Sequence, residues 1–171
     1  QELGFDLRAS YGRKLVTVLF TDIVDSTAKA VALGDTKWQQ LLEKHHLLVR
    51  EELATLKGRE IDTAGDGFFA IFNKPANAIK CATAVRASVA KLGIDIRAGL
   101  HLGECEISDD GVRGITVHIG ARVASKARSG EIFVSSTLKD AIAGSDFCFE
   151  NRGLHKLRGI PGDWSLFAIK M

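Results

Sequence analysis

The 171-residue sequence contains few cysteines, and they are not paired or clustered. Cys81, Cys105 and Cys148 are odd in number and far apart. This spacing excludes a disulfide framework and a cysteine metal site, and it favours a reducing compartment. We expect Cys105 and Cys148 to act as small apolar residues of the core. The interpretation is a cytoplasmic domain held together by its hydrophobic core.

Long apolar runs and a strong excess of one charge are also missing. No run approaches the ~20 apolar residues of a membrane-spanning helix, and no signal-peptide pattern appears in this sequence. The formal net charge is +2 with scattered Lys and Arg, so we expect no nucleic-acid partner. Because the chain begins at Gln1 rather than Met, we expect an upstream regulatory or sensor domain, or a membrane anchor, beyond this sequence.

Length and composition predict one globular domain. The sequence is 46% hydrophobic and 26% charged, which is ordinary for a folded domain of 171 residues. Residues 1–13 are mixed and show no periodicity, so we interpret them as a tether. We assign residues 14–171 to the domain itself.

The order of predicted elements indicates the fold class. We expect an α+β fold with a ferredoxin-like βαββαβ core and additional C-terminal helices and strands. In such a sheet the first and third core strands are neighbours. The pattern predicts strand 15–21, a helical stretch broken near Gly34-Asp35, a second helix capped by Asp35 and ended by Gly58, strand–turn–strand 59–72, a helix from Pro75, strands 95–100 and 105–107 joined around Gly103, helix 115–126, and strands 132–135, 147–150 and 164–169.

Two aspartates occupy matching positions at strand ends. Asp22 closes the apolar run 16–21, and Asp66 lies in the turn between two further strand-like runs. If those strands are neighbours, the carboxylates converge and repel each other by roughly 4 kcal/mol at about 4 Å separation and an effective dielectric of about 20. Divalent cations reverse that penalty, and Mg²⁺ combines carboxylate oxygens with substrate phosphates. The pair therefore predicts a two-metal phosphoryl-transfer site, although Asp and Gly also suit ordinary turns.

Five segments in one order carry a resemblance to a known family. They are VLFTDIVDST, TAGDGFFAIF, GLHLGE, VHIGARV and KLRGIPG, and they extend over most of residues 14–169. Together they resemble the catalytic domain of the class III nucleotidyl cyclases, most closely the bacterial branch that includes many mycobacterial enzymes. The resemblance implies that a nucleoside triphosphate is converted to a cyclic nucleotide by head-to-tail homodimers with shared active sites, using Mg²⁺ or Mn²⁺, two per site.

The resemblance also implies roles for individual residues. Asp22, Ile23 and Asp66 match the metal-binding positions. Arg122 matches the arginine that stabilises the transition state, and His118 falls where most members carry asparagine. Further positions match substrate-binding ones: Ile23, Val24, Ser26 and Thr27 wrap the triphosphate, Arg158 holds the terminal phosphate, and Asp62 and Asp110 stand near the base-reading positions.

The base-reading positions depart from the family pattern. Adenylyl cyclases carry lysine four residues before the second metal aspartate and guanylyl cyclases carry glutamate, whereas this chain has Asp62. A carboxylate cannot donate to adenine N1 but can accept from an amine or from guanine N1. The second base-reading position, which is usually aspartate in adenylyl cyclases, is occupied here by Gly111. Asp110 is the residue immediately before it. ATP is favoured because the related bacterial branch commonly uses it, and GTP remains the alternative.

Two further departures concern Asp25 and His118. Asp25 lies in the segment that wraps the triphosphate, at a position where the family usually has glycine. We expect its side chain to cap the following helix. His118 lies four residues before Arg122 on one helix face and is either a hydrogen-bond donor or a structural histidine. These departures leave a third possibility, a nucleotide-binding signalling module with little catalysis.

Overall fold

The computed structural model describes residues 11–170 and contains one mixed sheet in that range. The elements are β1 (Gly12–Ile23), α1 (Ser26–Leu33), α2 (Asp35–Thr55), β2 (Arg59–Ala64), β3 (Gly67–Phe72), α3 (Pro75–Ala90), β4 (Ile96–Ser108), β5 (Gly111–Arg113), α4 (Ile115–Lys126), β6 (Ile132–Ser135), α5 (Ser136–Ala141), β7 (Phe149–Lys156) and β8 (Asp163–Ile169). The strand order in the sheet is β2-β3-β1-β4-β6-β8-β7, with β5 paired to β4.

The first four strands confirm the predicted ferredoxin-like core. β1 pairs antiparallel with both β3 and β4, so the first and third core strands are neighbours at its centre. One face of these strands packs against α2 and α3 in the largest buried cluster, which includes Leu19, Phe72, Val85 and Leu100. Burying apolar side chains of this size stabilises a domain by roughly 1.5–3 kcal/mol each.

Glycines allow α4 to lie directly on the opposite face of the sheet. A Cβ at Gly99 would be 2.2 Å from the backbone nitrogen of Ala124, and one at Gly120 would be 2.5 Å from Cγ2 of Val18. Both distances are far below van der Waals contact, so a side chain at either position would push the helix away. Two of the family-like segments thus owe their glycines to the packing that places α4.

The structure corrects several expected boundaries. The two strands predicted around Gly103 are one continuous strand, β4. Gly103 makes room for Thr116, whose Oγ1 would be 2.4 Å from a Cβ there, and so it does not break the strand. β1 begins at Gly12, so the last two residues of the predicted tether belong to the sheet, and residues 1–10 lie outside the described range.

Helix ends also differ from expectation. Asp35 lies in the first turn of α2, and the N-cap is Gly34, without a side-chain capping bond. At the other end the left-handed residue is Lys57, with φ 63°, and not the predicted Gly58. Gly58 is required for a different reason, since its Cβ would lie 2.5 Å from the ring of Phe72. No helix among residues 11–170 is long and apolar enough to cross a membrane.

Two predictions about the core have different outcomes. Cys105 is buried as expected, whereas Cys148 is exposed and the prediction for it was wrong. The sequence pattern of His101, between Leu100 and Leu102 in an apolar strand, predicts a structural histidine, and it is buried in β4, where its Nδ1 lies 2.6 Å from Oγ of Ser135. Burial lowers the pKa of His101 from 6.5 to about 4.

We expect this histidine to make stability depend on pH. The unfolded chain binds a proton on His101 below pH 6.5 while the folded chain does not, so the free energy of unfolding rises between pH 4 and 6.5. The shift corresponds to about 3 kcal/mol over that window. Urea unfolding of His101→Gln and wild type across this range should show a shallower pH dependence in the variant; parallel curves would contradict the assignment.

Candidate active site

Asp22 and Asp66 line one open cavity of about 770 Å³ at the edge of the sheet. Asp22 is near the end of β1, and Asp66 is in the turn between β2 and β3. The pairing of β1 with β3 brings this turn beside the end of β1, as the sequence predicted. The Ile23 N–H donates a 2.8 Å hydrogen bond to Oδ2 of Asp66, which links the two positions directly.

Arg97, which was not predicted from the sequence as a site residue, lies beside Asp22 in the same cavity. Arg97 of β4 is the cross-strand partner of Asp22, and its Nε lies 2.9 Å from Oδ1 of that aspartate. Both side chains are 36% exposed, so the ion pair faces the cavity and is not part of the core. Arg97 also donates to the carbonyl of Ser125 at 3.3 Å, which ties α4 to the site.

The backbone that follows Asp22 has two kinds of N–H group. The N–H of Ile23 donates to Asp66, and the N–H of Val24 donates to the carbonyl of Asp95 at 2.9 Å. Their N–H groups therefore already have protein partners. Ser26 and Thr27 begin α1 and line the same cavity, and the first N–H groups of a helix have no partner within the helix. The start of α1 thus offers donors to an anion.

Asp25 does not cap α1 with its side chain, contrary to the prediction. It adopts a left-handed conformation, with φ 54°, and makes no side-chain capping bond. Its backbone carbonyl accepts from the N–H of Lys29 at 3.0 Å. The exposed carboxylate therefore remains available at the cavity wall.

The charges around this cavity determine what it can bind. Three aspartates and two arginines leave a net charge of about −1 on the lining; they are Asp22, Asp25, Asp66, Arg97 and Arg128. A polyphosphate alone would be repelled. Among the described residues no three His, Cys, Asp or Glu side chains are close enough to hold a metal by themselves. Two carboxylates supplemented by phosphate oxygens and water suit Mg²⁺ or Mn²⁺, so these residues fit the predicted metals.

A second cavity, of about 390 Å³, is strongly basic. Arg122 and Arg158 both line it, and Nε of Arg122 donates to the backbone carbonyl of Arg158 at 3.1 Å. Lys126 and Lys156 add two more cationic side chains to its lining. The structure thus brings together the two predicted phosphate-contacting arginines, but in a cavity different from that of the two aspartates.

A third cavity, of about 250 Å³, is lined by Asp62 and also by Asp22. Its floor includes Phe20 and Phe69, whose rings stack at 4.5 Å between centroids and 4° between planes. Flat apolar side chains beside a carboxylate suit a planar, hydrogen-bonding ligand such as a base. Asp62 therefore occupies a position from which a carboxylate could contact one.

Asp110 and His118 line none of these three cavities. Asp110 lies in the turn before β5, with its Oδ2 3.7 Å from Arg113. His118 is exposed on α4, one turn before Arg122. Within one chain the predicted site residues are therefore divided among three cavities, two of which share Asp22, and two separate positions.

Comparison with known proteins identifies the family. The profile of the adenylate and guanylate cyclase catalytic domain matches residues 9–171. A putative adenylate cyclase 3 of Rhizobium meliloti is 26% identical over 90% of this chain, and an uncharacterized protein of Mycobacterium tuberculosis is 35% identical over 92%. The chain spans 28% and 56% of the lengths of these two relatives.

Solved structures share the fold. The adenylyl cyclase CyaB of P. aeruginosa has a TM-score of 0.85 at 19% identity, covering 93% of this chain and 95% of that chain. The guanylate cyclase domain of RhGC from Catenaria anguillulae, in complex with GTP, has a TM-score of 0.81 at 20% identity, covering 94% and 97%. The likeness therefore extends over nearly the whole domain.

Proposed function

Since this chain belongs to the family of adenylate and guanylate cyclase catalytic domains, we propose that it converts ATP to 3′,5′-cyclic AMP and pyrophosphate. The observation that carries the proposal is the shared cavity of Asp22 and Asp66, beside Arg97 and the start of α1. Its lining offers carboxylates for metal ions together with donors for phosphate oxygens.

Each group at this cavity has a defined task in the proposal. Asp22 and Asp66 would hold Mg²⁺ or Mn²⁺, two per site, with Ile23 as the third metal-binding residue. When bound, the metal ions lower the pKa of the ribose 3′-hydroxyl and offset the charge of the triphosphate. The segment from Ile23 to Thr27 wraps the triphosphate, with N–H donors supplied by the first turn of α1.

The basic cavity supplies the complementary groups in a homodimer. Arg122 stabilises charge on the transferring phosphate, and Arg158 holds the terminal phosphate, because guanidinium geometry matches phosphate oxygens. His118 donates a hydrogen bond from the same helix face. We assign these three residues to the partner subunit, because within one chain Arg122 and Arg158 line a cavity separate from that of the two aspartates and His118 lies on the same helix as Arg122.

ATP is the proposed substrate, although one residue favours the alternative. Several named relatives are adenylate cyclases, including a receptor-type enzyme of Trypanosoma brucei brucei that is 24% identical over 90% of this chain. Asp62 and Asp110 would read the base. A carboxylate at Asp62 can accept from guanine N1, so guanylyl cyclase activity is the second candidate.

Product formation from the two triphosphates tests the proposal. We expect cyclic AMP from ATP, with Mg²⁺ or Mn²⁺ required, and a lower kcat/KM for GTP. Product should be quantified by chromatography at matched nucleotide and metal concentrations. Preferential formation of cyclic GMP would establish the guanylyl alternative. Triphosphate binding without turnover, even with Mn²⁺, would instead indicate a weakly active signalling module.

A further inference from the structure

The β2–β3 hairpin carries both Asp62 and Asp66, and it contains a β-bulge. Glu60 pairs with Ala70, and Asp62 pairs with Phe69, the next residue along β3. Ile61 is therefore an extra residue without a partner in the ladder. A bulge of this kind changes which face of the sheet the following side chains occupy.

The bulge decides the face on which Asp62 stands. Side chains alternate between faces along a regular strand, so without the extra residue Asp62 would pair with Phe68 and face α2. Instead Asp62 shares the face of Phe69 and lines the third cavity. Thr63 now pairs with Phe68 and shares the α2 face with Glu60.

A polar contact spans the bulge on the α2 side. The carboxylate of Glu60 accepts a short hydrogen bond from the Thr63 hydroxyl, three residues later along β2. The same carboxylate accepts two bonds from Arg50 of α2, at 2.8 Å from Nε and 3.0 Å from Nη2. Hydrogen bonding from Arg50 also lowers the pKa of the Glu60 carboxyl, so it is ionised at neutral pH.

Neighbouring α2 residues attach the hairpin on the same side. The Arg50 guanidinium lies over the Phe68 ring, 5.4 Å from its centroid, and the His46 ring meets that ring edge-on at 5.1 Å. Burial lowers the pKa of His46, and the nearby backbone of Gly65, the residue before Asp66, opposes that shift. Residues one helical turn apart on α2 therefore lie along the hairpin from its bulge to the β2–β3 turn.

We propose that Arg50, Glu60 and Thr63 form a positioning bridge across the bulge at Ile61, which keeps Asp62 on the cavity face and thereby sets the discrimination between purine bases. The inference rests on the proposed function, because it assigns Asp62 to base recognition. None of the three bridge residues lines the three cavities described above, so they act through Asp62 and the hairpin.

The bridge is suited to fixing geometry more than to holding the fold together. The Arg50 and Glu60 side chains are 50% and 31% exposed, and ion pairs this exposed contribute little to stability. A bulge that relaxes by one residue would turn Asp62 away from its cavity. Small errors in the position of a contacting group change rates and specificities strongly.

Matched substitutions test the bridge without disturbing the core. Thr63→Val removes the hydroxyl at nearly constant shape, whereas Thr63→Ser retains it. Glu60→Gln removes the negative charge of the carboxylate that accepts hydrogen bonds from both Arg50 and Thr63. Arg13→Gln is the control for loss of an exposed arginine pair, because Arg13 lies 2.8 Å from Glu104 at a distant position on β1 and β4.

Two readouts are needed, the ratio of kcat/KM for ATP to that for GTP, and amide hydrogen exchange in residues 61–67. We expect Thr63→Val and Glu60→Gln to move the ratio toward equality by about tenfold and to accelerate hairpin exchange by a similar factor. We expect Thr63→Ser and Arg13→Gln to stay within about twofold of wild type in both measurements.

An unchanged ratio or unchanged exchange in both Thr63→Val and Glu60→Gln would overturn the bridge. Failure of the proposed function is recognised separately, because wild type would then form no cyclic product from either triphosphate. In that case the bridge is tested by amide hydrogen exchange in the hairpin and by the ratio of the ATP to the GTP dissociation constant in Mn²⁺. Values equal to wild type in the two variants would again reject it.

Discussion

Replacement of Asp66 by asparagine is expected to lower cyclase activity by about a thousandfold or more while the fold is retained. Asparagine has nearly the same shape, and its side-chain oxygen can still accept the bond from the Ile23 N–H that Asp66 accepts at 2.8 Å. The substitution removes only the negative charge. Without it the cavity loses half of the carboxylate pair that would hold the metal ions and, through them, the triphosphate.

A second substitution separates charge from structure. Asp66→Ala removes both the charge and the acceptor for Ile23, so we expect the same loss of activity and, in addition, a lower melting temperature. Asp146→Asn is the control, since Asp146 is exposed and lies outside the three cavities. Cyclic product formation at saturating Mn²⁺ and thermal unfolding are the measurements. If Asp66→Asn retains more than about a tenth of wild-type turnover, its assignment as a metal ligand is wrong.

The ferredoxin-like order could be predicted from the sequence because the relevant signals are local. Apolar runs, the helix break near Gly34-Asp35, the turn that holds Asp66 and the helix start at Pro75 identify most elements in order. That order implies that β1 and β3 are neighbours, which in turn implies that Asp22 and Asp66 approach each other. The convergence of these two residues is thus a consequence of strand order and needs no knowledge of side-chain packing.

Features that depend on register could not be predicted in the same way. Arg97 faces Asp22 only because the long pairing of β1 with β4 places those two residues opposite each other. Neither end of that pairing is marked by a short turn, so the sequence does not reveal it. The one available sequence signal for a site residue here was Arg97 itself, a polar residue near the start of the apolar strand β4. The bulge at Ile61 was hidden too, because the turn between β2 and β3 fixes only where that pairing begins and not where an extra residue interrupts it.

The exceptions at Gly103 and Gly58 have a common physical cause, and the exception at Asp25 has a different one. A glycine can provide conformational freedom or space for a neighbour, and the sequence does not distinguish these uses. Gly103 and Gly58 provide space, for Thr116 and for the Phe72 ring. Asp25 follows a segment whose N–H groups are already bonded, and its left-handed backbone carries the side chain away from the capping position.

Mixing two inactive variants is expected to restore activity, and this result tests the proposed homodimer. Asp22→Ala removes a metal ligand, and Arg122→Ala removes the transition-state cation from the basic cavity. In a two-fold symmetric dimer each site combines the Asp22 cavity of one subunit with the Arg122 cavity of its partner. A heterodimer of the two variants therefore contains one site with both defects and one site with neither.

The expected size of the rescue follows from this geometry. Equal mixing with random association makes half of the dimers mixed, each with one intact site, so activity should reach about a quarter of wild type. Each variant alone should remain at least about a hundredfold below wild type. Specific activity of the mixture should also fall on dilution as dimers dissociate. Activity no higher than either variant alone, with dimers present by sedimentation, would place Arg122 and Asp22 in the same subunit's site or remove Arg122 from catalysis.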